Sequence, residues 1–160
     1  MEISDIASGD LPEVLALNEA SVPHVSSVSD AEMQWLRKHA HYFRVARIDG
    51  QLAGFLIGLR PGLAYTSPNY RWFSEHYDDF GYVDRVAVTR IARRRLVASR
   101  LYSDFSSTLQ GAVDVMTCEV NLRPANDASM QFHLRQGFAQ VASQETEGGK
   151  KEVALMEKKL

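Results

Sequence analysis

The order of hydrophobic periodicities along the chain predicts an α/β fold, a mixed sheet with helices on its faces. Three observations carry this. Residues 114–120 form a near-continuous apolar run, the pattern of a buried central strand. The Asp49-Gly50 link joins two strand-like runs, residues 42–48 and 51–59, which is the strongest short-range hairpin signal. Apolar residues at helical spacing recur at residues 11–20, from 30 onward, at 93–109 and at 127–136.

Each element follows in order. Residues 3–7 read as a short first strand ended by Gly9, and Asp10 is placed to cap a helix carrying Leu11, Val14, Leu15 and Leu17. Pro23 and a serine-rich stretch break that helix, and Asp30 caps a second one with Met33, Trp35 and Leu36. The hairpin supplies strands two and three. Residues 60–79 read as a long irregular loop rich in aromatics, which marks it as functional and ordered. Residues 80–89 read as strand four, 93–109 as the third helix and 114–120 as strand five. A short helix over 127–136 stops at Gly137, and two final strands turn at Gly148-Gly149. The sum is seven strands and four helices in one domain over residues 1–160.

Composition narrows the function. A net charge of −2 excludes a chain built as a whole for nucleic acid or an anionic membrane, so any basic site is local. Cys118 is the one cysteine, which precludes an internal disulfide and fits a cytoplasmic location. The N-terminus is polar and acidic, unlike a signal peptide, and no apolar run reaches the ~20 residues of a membrane span. Glycine patterns for dinucleotides or nucleoside triphosphates are absent.

Two segments carry chemistry. In YVDRVAVTRIARRRLVASRLY, residues 82–102, a strand runs through an arginine-rich turn into a helix. A helix N-terminus presents unpaired N–H groups, and Arg90, Arg93, Arg94 and Arg95 oppose the helix dipole there unless an anion is bound or the face is simply solvated. The second segment is NDASMQFHLRQGF, residues 126–138.

These segments resemble the GCN5-related N-acetyltransferase (GNAT) superfamily, and YFRVA, SPNYRWF, TCEVN and GGKK resemble a small bacterial branch of it. The resemblance implies about seven mostly antiparallel strands, the central strands 4 and 5 splayed, flanked by four helices. It implies acetyl-coenzyme A as co-substrate, an amine acceptor, no metal, no nucleic-acid or membrane partner, and leaves open whether the chain forms a homodimer. The family's Arg/Gln-x-x-Gly-x-Gly/Ala turn aligns with Arg93, Arg94, Arg95, Leu96, Val97 and Ala98, followed by Ser99, so these residues would hold the pyrophosphate. Leu96 stands where the family has glycine; it is expected to donate its N–H from a helical conformation with its side chain turned away. Val86, Ala87 and Val88 would pair with the pantetheine arm as an added strand. Asn126, Ser129 and Phe132 match the family's second motif, with Asn126 expected on that arm. His133 replaces the tyrosine that protonates the departing thiolate, and its reference pKa suits the task. The base that deprotonates the amine would be Glu119 or, next in rank, Asp84, unless Arg85 or Arg123 holds either in a salt bridge. Tyr65, Tyr70 and Trp72 would wall the acceptor, or Trp72 with Phe73 would plug the sheet; Asn18 would line the acceptor cleft. The expected function is direct acetyl transfer in a ternary complex. The alternative is a coenzyme-binding module without efficient transfer.

Overall fold

The computed structural model describes every residue from Met1 to Leu160. In chain order the elements are β1 (Glu2–Asp5), α1 (Leu11–Ala20), α2 (Asp30–His39), β2 (Tyr42–Ile48), β3 (Gln51–Leu59), α3 (Pro68–His76), β4 (Gly81–Val88), α4 (Val97–Leu109), β5 (Val115–Arg123), α5 (Asp127–Arg135), β6 (Ala139–Thr146) and β7 (Lys151–Lys159). The hydrogen-bonded strand order is β1-β2-β3-β4-β5-β7-β6, a seven-stranded mixed sheet. The chain packs as two compact halves, residues 1–59 with 84–108, and residues 60–83 with 109–160.

In the first half, β1, β2 and β3 pair antiparallel, with Ile3 opposite Ala46 and Val45 opposite Phe55. Asp49 (φ 52°) and Gly50 (φ 77°) make the tight link between β2 and β3, both left-handed as a two-residue hairpin requires. Leu11 and Val14 of α1, Met33 and Leu36 of α2, and Val97, Leu101 and Phe105 of α4 are buried with the strand residues Val45, Phe55 and Ile57. Gly54 on β3 sits at a point of close approach. A Cβ there would lie 2.7 Å from the Ala87 main-chain oxygen and 3.1 Å from Val97 Cγ1. Outside the core, Trp35 of α2 stacks on His39 with ring centroids 4.4 Å apart.

In the second half, β5 and β7 pair antiparallel through Glu119↔Leu155, and β6 adds to β7. The β4–β5 ladder is parallel and has two pairs, Gly81↔Met116 and Tyr82↔Thr117. Tyr70 and Phe73 of α3 pack with Phe80 and Tyr82, ring centroids 5.5 to 6.2 Å apart, as a buried aromatic cluster.

Four details differ from the sequence-based expectation. Residues 60–79 are not wholly irregular: α3 occupies their centre, started by Pro68 and by Ser67 Oγ, which accepts from Tyr70 N. The helices therefore number five, not four. Ser29, not Asp30, caps α2, through a reciprocal box with Glu32. Asp10 stands at the start of α1, but its carboxylate accepts from Ala7 N and pairs with Arg47 rather than capping the helix amides. α4 begins at Val97, four residues later than the apolar spacing implies.

Gly54→Ala should lower stability by about 1–3 kcal/mol, because the main-chain carbonyl it would strike cannot move aside cheaply. Urea unfolding of the variant checks this.

Candidate active site

The turn ahead of α4 is built by backbone geometry. Thr89 N donates to Ala53 O at 2.8 Å, and Ala92 N donates to Thr89 O at 3.0 Å, which closes a single short helical turn over Arg90–Ala92. Arg93 then runs extended, with φ −60° and ψ 147°. Arg94 (φ 63°) and Leu96 (φ 60°) are both left-handed, a conformation that costs a residue with a side chain roughly 1–2 kcal/mol. Leu96 does turn its side chain outward, 67% exposed, but from this left-handed conformation and not from a helical one as expected. The position conventionally filled by glycine thus keeps a glycine-like backbone.

This geometry suits an anion. Arg94, Leu96, Val97 and Ala98 have main-chain N–H groups without an acceptor in the protein. Arg90, Arg93, Arg94, Arg95 and Arg100 are exposed, and none of their guanidinium groups has a partner. Five cations gathered at the positive end of a helix are unfavourable until an anion joins them. Ser99 lies half-buried in the first turn of α4. Upstream on β4, Val86 and Val88 are half-buried and Ala87 is buried.

Two carboxylates expected as bases stand in different surroundings. Asp84 Oδ2 accepts from Arg85 Nε at 2.7 Å, and both side chains are 3% exposed. Arg85 Nη1 also donates to Asn18 Oδ1 (3.0 Å) and to Ser26 O (3.1 Å). Asn18 is wholly buried and gives its amide to Ser26 O and Glu19, so it is a brace for residues 21–29 and not the cleft-lining residue expected. Glu119 is half-buried on β5, and its Oε2 accepts from Tyr82 Oη at 2.7 Å. Arg123 pairs instead with Glu145 and Glu152.

α5 carries the second motif. Asn126 Oδ1 caps the helix by accepting from Ser129 N at 3.2 Å, while its amide nitrogen makes no hydrogen bond within the protein. His133 is 3% exposed and lies edge-on to Phe132 and Phe138. Its Nδ1 donates to Ser129 O at 2.8 Å, with Ser129 Oγ at 3.3 Å. Burial pushes its pKa below the ordinary imidazole value, against the opposing pull of that carbonyl. Burial thus disfavours its charged form.

The aromatic segment divides. Tyr65 is half-buried, edge-on to Tyr70 at 5.5 Å. Tyr70 is 2% exposed, and its hydroxyl donates to Arg60 O and accepts from Leu63 N, which fastens residues 60–63. Trp72 stacks on His76 at 3.8 Å, a pairing internal to α3. Sequence reasoning named Arg85 as a salt-bridge partner, and it pairs with Asp84, but it missed Tyr82 as part of the arrangement. Tyr82 reads as one more apolar strand residue, and only the parallel register of β4 with β5 brings it to Glu119.

The sequence profile of the Acetyltransferase (GNAT) family matches residues 11–138, and the chain belongs to that family. No curated protein sequence matches the chain. Among solved structures, the Escherichia coli ribosomal-protein-S18-alanine N-acetyltransferase is similar with a TM-score of 0.75 at 15% identity, over 99% of this chain and 92% of that one. Ard1 from Thermoplasma volcanium gives 0.79 at 18%, covering 99% and 97%. Arabidopsis thaliana NAA60, solved with a bisubstrate analogue, gives 0.77 at 18%, covering 99% and 97%. These likenesses establish the shared fold.

Leu96→Gly should raise stability by up to about 1 kcal/mol, since relief of the left-handed strain exceeds the added freedom of the unfolded chain; thermal unfolding measures it. His133 gives a pH signature. The unfolded chain takes up its proton near pH 6.5 while the folded ring resists, so its contribution is whole above about pH 6.5 and is lost as pH falls toward the lower folded value. Urea midpoints at descending pH should show this loss, and His133→Gln should flatten it.

Proposed function

We propose that this chain is an N-acetyltransferase that moves the acetyl group of acetyl-coenzyme A to an amine of a small molecule or peptide, by direct attack in a ternary complex. The observation that carries the reading is the turn at residues 93–98. Its outward amides and unpartnered arginines fit a pyrophosphate, and the outward Leu96 side chain leaves that backbone accessible. Val86, Ala87 and Val88 would run beside the pantetheine arm. Asn126 would offer it the amide nitrogen that the helix cap does not use, with Ser129 and Phe132 alongside.

In the reaction the neutral amine nitrogen attacks the thioester carbonyl, the carbon–sulfur bond breaks, and the thiolate leaves with its electron pair. Glu119 takes the proton from the attacking nitrogen, directly or through water. Glu119 is preferred to Asp84, because Asp84's carboxylate is already engaged by the buried Arg85 guanidinium that braces it to Asn18 and Ser26. The departing thiolate takes a proton, for which His133 at the motif position is the proposed source, re-protonated in turn from solvent. Tyr65 would face the acceptor with the buried Tyr70 edge-on behind it, while Trp72 stays with its own helix. The alternative, a coenzyme-binding module without efficient transfer, draws on Leu96 at the glycine position and on the histidine that replaces the tyrosine.

Mutating Arg93, Arg94 and Arg95 together to alanine should weaken acetyl-coenzyme A binding by about tenfold or more in isothermal titration. Glu119→Gln should lower kcat across an amine panel by about a hundredfold with coenzyme affinity retained. Tight coenzyme binding with no transfer to any amine would favour the binding-module reading.

A further inference from the structure

We infer that Tyr82 is a positioning residue for Glu119, fixing the carboxylate's orientation and setting the pH range over which it works. The inference rests on the reading of Glu119 as the base. Tyr82 lies at the end of the two-pair β4–β5 ladder, opposite Thr117, and Glu119 is two residues further along β5. A strand returns its side chains to one face every second residue, so the register itself delivers the phenol to the carboxylate. The contact is made at 2.7 Å by a tyrosine that is 0% exposed.

The phenol cannot drift. Its ring is locked edge-on to Tyr70 at 5.5 Å and tilted against Phe73 at 5.8 Å. Tyr70 is itself fastened through its hydroxyl to the main chain at Arg60 and Leu63. Glu119 thus receives a donor whose position is set by packing. A half-buried carboxylate side chain otherwise samples several rotamers, and a base that must meet one amine gains from losing that freedom. The donor also favours the ionised carboxylate over the protonated acid. Among the groups on the Glu119 face of β7 is Glu157, opposite Thr117 and held by the Tyr77 hydroxyl. Tyr82 faces Glu119 from β4 with Tyr70 of α3 behind, Cys118 adjoins it on β5, and its β7 register partner is the apolar Leu155. The Cys118 thiol is pushed up, first by burial and then by the Glu119 charge, so it remains protonated.

The test compares Tyr82→Phe, which keeps the ring and removes only the donor, with Glu119→Gln and the wild type. Tyr42→Phe, which removes a comparable tyrosine–carboxylate contact to Asp104, serves as control. Acetyl-coenzyme A affinity and the pH profile of kcat/KM for a reactive amine are measured. Tyr82→Phe should keep coenzyme affinity, lower kcat about tenfold near pH 6, and move the acidic limb up by about one pH unit, while the control keeps the wild-type profile. A Tyr82→Phe profile matching wild type, with Glu119→Gln inactive, overturns the positioning role and leaves the base in place. Full activity in Glu119→Gln overturns the base reading itself.

Discussion

The start of α4 depends on one close approach. Gly54 has no side chain, so the Ala87 carbonyl and the Val97 side chain can pack against β3 where any Cβ would intrude. Through Ala87 the approach fixes the end of β4, and through Val97 it fixes the first helical residue of α4. Among the nine residues between those points, Arg94 and Leu96 take left-handed backbone. Strain at Arg94 and Leu96 is the local cost of holding the helix there. Strain of this kind persists only when the surroundings over-determine it, and it gathers where proteins bind or react.

Glu119 and Asp84 show how the same chemical group takes different work from different neighbours. A guanidinium buried beside Asp84 balances its charge and joins it to Asn18 and Ser26, so the pair acts as a cross-brace within its half of the chain. A phenol beside Glu119 balances no charge. It donates one hydrogen bond, which in the proposed reaction would orient the carboxylate toward the amine.

Much of the fold was legible in the sequence because its signals are local. The Asp49-Gly50 hairpin, the apolar run of β5 and the Gly137 stop of α5 each declare themselves within a few residues. The α3 helix was hidden because its residues, Pro-Asn-Tyr-Arg-Trp-Phe-Ser-Glu-His, are aromatic and polar rather than regularly apolar, with only Tyr70 and Phe73 turned fully inward. The delayed start of α4 was hidden for the opposite reason: arginine is a good helix former, and nothing local announces a positive φ at Leu96. The turn's composition pointed to the candidate site. Arg85 could be named beside Asp84 because it is the next residue, but Asn18's bond to Arg85 and Tyr82's bond to Glu119 could not be read in advance, because they form only through tertiary packing and strand register.

Both tryptophans of the chain, Trp35 and Trp72, lie face to face with a histidine one helical turn onward, and each of those imidazoles is tied by Nδ1 to the tryptophan's own carbonyl. An imidazole in van der Waals contact with an indole drains its excited state, and does so most strongly when cationic. The native molecule should consequently be dim in intrinsic emission, and melting of α2 or α3 should light up the tryptophan of that helix, giving each helix a built-in optical report of its own integrity.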